Sequence, residues 1–167
     1  MATRRIASST PGSLGRPLTP LLTRTPGARI VNVSSAGQAT LDFDDLLLER
    51  GWDGVQAYCQ AKLAQIMLTF EHAELLRGHG VTVNALHPAS YMPTEIVIHL
   101  FSVQSTLDEG VANLARLVTD PGLGTTTGTY VNRDIASRAH AQVYDPAARR
   151  RLLDLSEKLT GVPLLAP

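Results

Sequence analysis

Several features are scarce in this sequence, and each scarcity narrows its class. One cysteine, Cys59, stands among 167 residues, so an internal disulfide and a thiolate zinc site are both excluded, and a reducing, cytoplasmic setting is the simplest reading. No apolar run approaches the roughly 18 residues of a membrane-spanning helix. Net charge is absent too: 15 basic residues balance 15 acidic ones, which gives no net pull toward nucleic acid or an anionic membrane. The five histidines, His72, His79, His87, His99 and His140, form no i, i+4 ligand pair, so no metal site is expected.

Acidic residues are missing from the whole start of the chain. Every charged residue before Asp42 is an arginine (Arg4, Arg5, Arg16, Arg24, Arg29), and residues 1–16 are rich in Ser, Thr, Pro and Gly. A transit peptide has that bias, but Pro11, Gly12 and Pro17 spoil an amphipathic helix. The composition favours a disordered tail or a non-native start over 1–16, a folded unit over 17–161 and a short tail over 162–167.

The rest is globular in character, with 44% apolar and 18% charged residues. ARIVNV (28–33) reads as a buried strand, ended by Ser34, Ser35, Ala36 and Gly37. LDFDDLLLER (41–50) fits a short helix or an ordered loop. A long helix is expected over 55–77, where Leu63, Ile66, Met67 and Phe70 repeat on one face and Gly78 and Gly80 stop it. VTVNAL (81–86) is a second strand, closed by His87 and Pro88. A helix over 107–118 takes Ser105 or Thr106 as its cap, Gly128–Val131 makes a third short strand, and a basic helix runs from Pro146 to the stop at Gly161. Strand, helix, strand, helix, strand with apolar strands predicts an α/β fold: an incomplete, Rossmann-like, doubly wound parallel sheet of about three strands with helices on both faces.

In such a sheet ligands sit beyond the carboxyl ends of the strands. Those ends carry Ser34 and Ser35, then His87, Pro88 and Ala89, then Asn132. Tyr58 and Lys62 lie four residues apart on the helix after the first strand and so share a face. An ammonium beside a phenol favours the phenolate and makes the Tyr a better acid near neutral pH than its usual pKa of about 10 allows. A serine hydroxyl nearby can hold a carbonyl oxygen for that acid. The plainer reading is helix packing for Tyr58, a solvated charge for Lys62 and a turn for the serines. Tyr four residues before Lys occurs by chance in many chains, so its surroundings must carry the weight.

Those surroundings resemble a known family. RIVNVSSAG (29–37), LDFDDL (41–46), AYCQAKLAQIMLTFEHAELLRGHGVTVNALHP (57–88) and the region of Thr94 are similar to the short-chain dehydrogenases/reductases, nearest in flavour to the retinol dehydrogenase and protochlorophyllide reductase-like branch. The resemblance implies NAD(P)-dependent interconversion of a carbonyl and an alcohol. It makes Tyr58 the proton donor and acceptor, Lys62 the ligand of the nicotinamide ribose and Ser35 the residue orienting substrate. Pro88, Ala89 and Thr94 would flank the nicotinamide and phosphates, with Ala89 standing where the family usually has glycine. The family's helix carrying Tyr and Lys commonly forms a dimer interface, so a homodimer through the Tyr58–Lys62 helix is implied as well.

The resemblance also has gaps. The Gly-rich turn that grips the pyrophosphate has no counterpart, because PGSLG (11–15) follows no strand and GLGTTTG (122–128) precedes one. The family's active-site Asn is missing, and Asn32 lies within a strand. The chain therefore matches the C-terminal half of such an enzyme, and impaired binding of NAD or NADP with weak activity is expected. The contrasting expectation is an inactive remnant serving as a dimerisation or interaction module. Apolar residues over 95–106 (Ile96, Val97, Ile98, Leu100, Phe101) suit a small hydrophobic substrate or a buried helix alike. A serine hydrolase is disfavoured because VSSAG lacks the glycine that opens a nucleophile elbow. His72 and the run Arg149–Arg151 read as helix-surface positions, and Trp52 as a loop anchor.

Overall fold

The structure is a computed structural model that describes residues 18–161. The tails expected at 1–16 and 162–167 lie outside the described residues. A helical stretch over 18–22, α1, leads into strand β1 (Arg29–Val33). Helix α2 (Gly54–Leu75) and strand β2 (Thr82–His87) follow, then the one-turn helix α3 (Glu95–Ile98) and helix α4 (Leu107–Thr119). Strands β3 (Thr129–Asn132) and β4 (Ile135–Ser137) precede helix α5 (Pro146–Thr160), with single 3-10 turns at Pro121–Leu123 and Ala141–Tyr144.

The sheet runs in the order β1-β2-β3-β4. The first three strands are parallel, with Ile30 beside Val83 and Ala85 beside Tyr130, as expected from the strand–helix alternation. The fourth strand, β4, pairs antiparallel to β3 through a two-residue turn and was not anticipated. Its three residues, Ile-Ala-Ser, carry too short a pattern to stand out from a loop. Arg133 opens that turn at φ +59, a left-handed position that glycine would signal and arginine does not.

Side-chain alternation sorts the strands into two faces. Ala85 and Tyr130 face Leu63, Ile66 and Met67 of α2 and Leu152 and Leu153 of α5. Farther along α2, Ala73 and Leu76 pack against Val83 and Ile30. Leu86 and Val131, their register neighbours, face the other way onto Leu114 and Leu117 of α4. Helices therefore cover both faces. Asn32 points at α2, where its Nδ2 donates to Thr69 Oγ1 at 2.9 Å; it serves packing within the sheet layer.

Caps set the helix limits. Asp53 accepts from Gln56 N at 2.6 Å to start α2, and Thr106 accepts from Glu109 N at 3.1 Å to start α4. Asp145 accepts from Ala147 N and Ala148 N ahead of Pro146, and Gly161 ends α5 at φ +69. Residues 41–50 form turns instead of a helix, pinned where Asp45 accepts from Glu49 N and Arg50 N.

Two surface expectations are corrected. His72 is buried, because it sits on the α2 stripe that includes Leu68, Thr69 and Ala73. Arg149 is tucked against Glu71 of α2 and also donates to the Val143 carbonyl at 2.8 Å, whereas Arg150 and Arg151 remain exposed.

Candidate functional site

Ser34 and Ser35 stand where β1 ends, and their two hydroxyls are used differently. Ser34 Oγ donates to the Lys62 carbonyl at 3.0 Å and thereby ties the strand end to α2. Ser35 Oγ accepts from Gly37 N at 3.0 Å, which leaves its own proton without an acceptor among the described residues. The loop beyond is clamped from two sides. Gln60 Nε2 on α2 donates to the Thr40 carbonyl, while Gln142 brackets the backbone of Leu41 and His140 N donates to Gln38 Oε1. Tyr130, from the middle of β3, donates its hydroxyl to the Ser35 carbonyl at 3.2 Å, and burial raises its pKa. The strand end is held by polar bonds from α2, β3 and the 141–144 turn.

Tyr58 and Lys62 share one face in the first three turns of α2, with the ammonium 5.7 Å from the centre of the phenol ring. Tyr58 is 42% exposed, and its hydroxyl has no hydrogen-bond partner among the described residues. Lys62 Nζ donates to the Val33 carbonyl at 3.1 Å and to Gln65 Oε1 at 3.4 Å, and burial pulls its pKa below the ordinary lysine value. Gly37 joins the serine to the phenol. A methyl group placed there would lie 3.5 Å from Ser35 Oγ, 3.7 Å from Tyr58 Cε1 and 3.4 Å from Cys59 Sγ. Ser35 Oγ and the Tyr58 ring edge thus both approach one small gap, which only a residue without Cβ leaves clear. Cys59 is half-buried there, and burial with the nearby Asp53 raises its pKa, so the thiol stays protonated.

The second strand end carries the loop expected to flank a cofactor. Ala89 is buried, and the Pro88 carbonyl accepts from Asn113 Nδ2 at 2.8 Å. Thr94 stands at the start of α3, where its side chain makes no capping bond. His87, the last residue of β2, is buried with Nε2 3.1 Å from Ser90 Oγ. Burial, then the Arg133 charge, lowers its pKa, while Glu109 opposes them. Beyond Thr94, Ile96, Ile98, Leu100 and Phe101 are exposed.

Hydroxyls and an amine at these two strand ends suit the polar ribose–nicotinamide end of a dinucleotide. Among the described residues no glycine-rich turn follows a strand, and the glycines at 122–128 lie before β3, at the opposite end of the sheet. No group of three His, Cys, Asp or Glu residues is arranged for a metal among the described residues, and no described helix is long and apolar enough to cross a membrane.

No protein-family model matches the chain. Human Retinol dehydrogenase 11 is 32% identical over 149 residues, covering 82% of this chain and 46% of that protein. Human Retinol dehydrogenase 14 is 31% identical over 158 residues, 85% of this chain and 47% of that protein. Among solved structures, an NADPH-bound carbonyl reductase from chicken fatty liver matches with a TM-score of 0.60 at 26% identity, over 78% of this chain and 52% of that one. The chain is a short-chain dehydrogenase/reductase homologue. It spans about half the length of the curated relatives it matches. The carbonyl reductase Sniffer of D. melanogaster shares the fold of this homologue, with a TM-score of 0.63 at 20% identity over 83% of this chain and 56% of that one.

Three contributors escaped the sequence reading of this dehydrogenase/reductase homologue. The Tyr130 hydroxyl bonds to a residue 95 positions away, a partner that a strand pattern cannot disclose. The Lys62 contact with Val33 depends on how α2 lies across the sheet. Gly37 did carry a signal, a glycine two residues after the candidate Ser35, but it read as turn punctuation.

Proposed function

We propose that the chain belongs to an NAD(P)-dependent oxidoreductase that interconverts a carbonyl and an alcohol, with Tyr58 as the proton donor and acceptor. The observation that carries this reading is the gap at Gly37, which Ser35 Oγ and the Tyr58 ring edge both approach while the Lys62 ammonium sits one helical turn away. In the reductive direction the nicotinamide, when bound, supplies a hydride to the carbonyl carbon. Ser35 donates its free hydroxyl proton as a hydrogen bond to the carbonyl oxygen and holds it toward Tyr58. The Tyr58 hydroxyl gives its proton to that oxygen as the alcohol forms, and the phenolate regains a proton from solvent. Lys62 favours the phenolate by its charge and is the group to hold the ribose, with Thr94 and the backbone at Pro88 and Ala89 toward the phosphates.

The exposed apolar residues of 96–101 support a small hydrophobic substrate. A homodimer through α2 is supported by the exposed Val55 in the first turn of that helix, and the single cysteine suits a cytoplasmic setting. The test is reduction of aldehydes and ketones followed by NADPH absorbance, with Tyr58→Phe alongside. From the weak starting activity that impaired cofactor binding implies, loss of turnover by about 100-fold or to the detection limit, with the residual NADPH binding unchanged, is the expected result. Turnover unchanged by that substitution removes Tyr58 from the chemistry.

A second reading has its own supporting observation. In a parallel pair alternate residues bond to the neighbour. The Ala28 carbonyl and Ser34 N–H both bond to the β2 side, so Arg29, Val31 and Val33 turn their peptide groups to an edge that no strand among the described residues covers. An inactive homologue acting through that edge predicts no saturable quenching or enhancement of NADPH fluorescence at any concentration tested.

A further inference from the structure

His87 is buried at the end of β2 yet takes no part in the proton transfer proposed above. Its ring reaches the hydroxyl of Ser90, three residues into the loop that follows. That loop is fastened elsewhere as well. The Ser90 carbonyl accepts from the Ser105 hydroxyl, and the Tyr91 carbonyl accepts from Gln104 N at 3.1 Å. The Asn113 side chain holds the Pro88 carbonyl, and Met92 lies so close to Gly110 that a Cβ there would collide with its sulfur. These contacts tie the 88–94 loop to α4 and the segment before it. The His87–Ser90 bond links the same loop to the sheet. Tyr91 meanwhile sits at φ +48, a strained position for a non-glycine residue that persists only while its surroundings enforce it.

We propose that His87 is a positioning residue whose neutral ring, through Ser90, holds the 88–94 loop in its closed place, and that proton uptake by the ring loosens the loop. The role of that loop toward a cofactor rests on the proposed function; the latch itself does not. The charged groups facing the ring are Arg133, from the β3–β4 turn, and Glu109, from the first turn of α4, which are themselves 3.5 Å apart. A proton on the buried ring would be set beside the Arg133 guanidinium with only part of Glu109 to offset it. Opening the loop hydrates the ring, so acid favours the open loop. Burial and Arg133 hold the ring neutral in the closed state, so the latch is complete above the ordinary histidine value of 6.5 and is lost as pH falls below it.

Amide hydrogen exchange on the full chain between pH 5 and 7.5, corrected for intrinsic rates, tests this. The expected result is a roughly fivefold loss of protection on acidification at the Gln104 and Thr94 amides, which donate to the Tyr91 and Met92 carbonyls of the loop, the effect of one buried hydrogen bond. His87→Gln, which keeps a hydrogen-bonding side chain without a titrating ring, is expected to retain protection with no such pH dependence, and His87→Ala to lose it at every pH. A flat wild-type profile, or the same acid loss in His87→Gln, overturns the proposal. NADPH titration of the same samples separates the two readings: a pH-dependent loop without NADPH binding leaves the latch standing and removes the cofactor role.

Discussion

Lys62 is drawn two ways by its position. Burial lowers its pKa, so the charged amine is less favourable in the folded chain than in the unfolded one. The sign follows: a depressed lysine pKa adds stability only above the ordinary value of 10.5, and at neutral pH the charge opposes folding. Its bond to the Val33 carbonyl acts the other way. With burial the larger influence, Lys62→Met is expected to raise the urea midpoint at pH 7 while weakening NADPH binding. A lowered midpoint would mean that the Val33 bond outweighs the burial of the charge. Gly37 gives the converse case. The contacts an added methyl would make, 3.4 to 3.7 Å, are close to ordinary packing, so Gly37→Ala is expected to change stability by less than about 1 kcal/mol. The same methyl fills the gap between Ser35 and Tyr58, so carbonyl reduction is expected to fall by far more than the midpoint shift explains.

At the scale of the elements, stability depends on caps as well as on packing. Asp145 caps α5 with two backbone bonds, and α5 places Leu152 and Leu153 against α2. Asp145→Ala is expected to lower stability by about 1 kcal/mol in urea denaturation and leave α2 intact. The Asp145 cap emerged only from the structure, whereas the proline that opens α5 and the glycine at its far end were legible in the sequence, as were the long stripe of Leu63, Ile66 and Met67 and the three parallel strands. These features follow from local chemistry and from periodicity. The β3–β4 turn was not legible, because its left-handed residue is an arginine and its second strand has three residues. Burial of His72 was missed for a different reason: α2 is covered over a wide arc, by the sheet and by α5, and a single apolar stripe understates that arc. Within the candidate site, Ser35, Tyr58 and Lys62 were named from spacing and resemblance, but the gap at Gly37 needed coordinates.

For the molecule as a whole, acid should be the vulnerable side. Burial lowers the pKa of His72, and burial with Arg133 lowers that of His87. Both rings are neutral in the folded chain and take up protons on unfolding as pH drops below about 6.5. Stability is therefore expected to be fully present above that value and to decline as pH falls toward 5, with His72→Gln flattening part of the decline in urea midpoints measured across the range.

The two borders of the described sheet differ in how they limit stray pairing. At one border β4 is only three residues long, too brief to template another chain. At the other, an amine occupies the outward carbonyl of Val33, where an incoming strand would bond. Removing that amine should therefore leave a protein that resists urea better and yet clouds sooner on concentration, a divergence that light scattering set beside denaturation would expose.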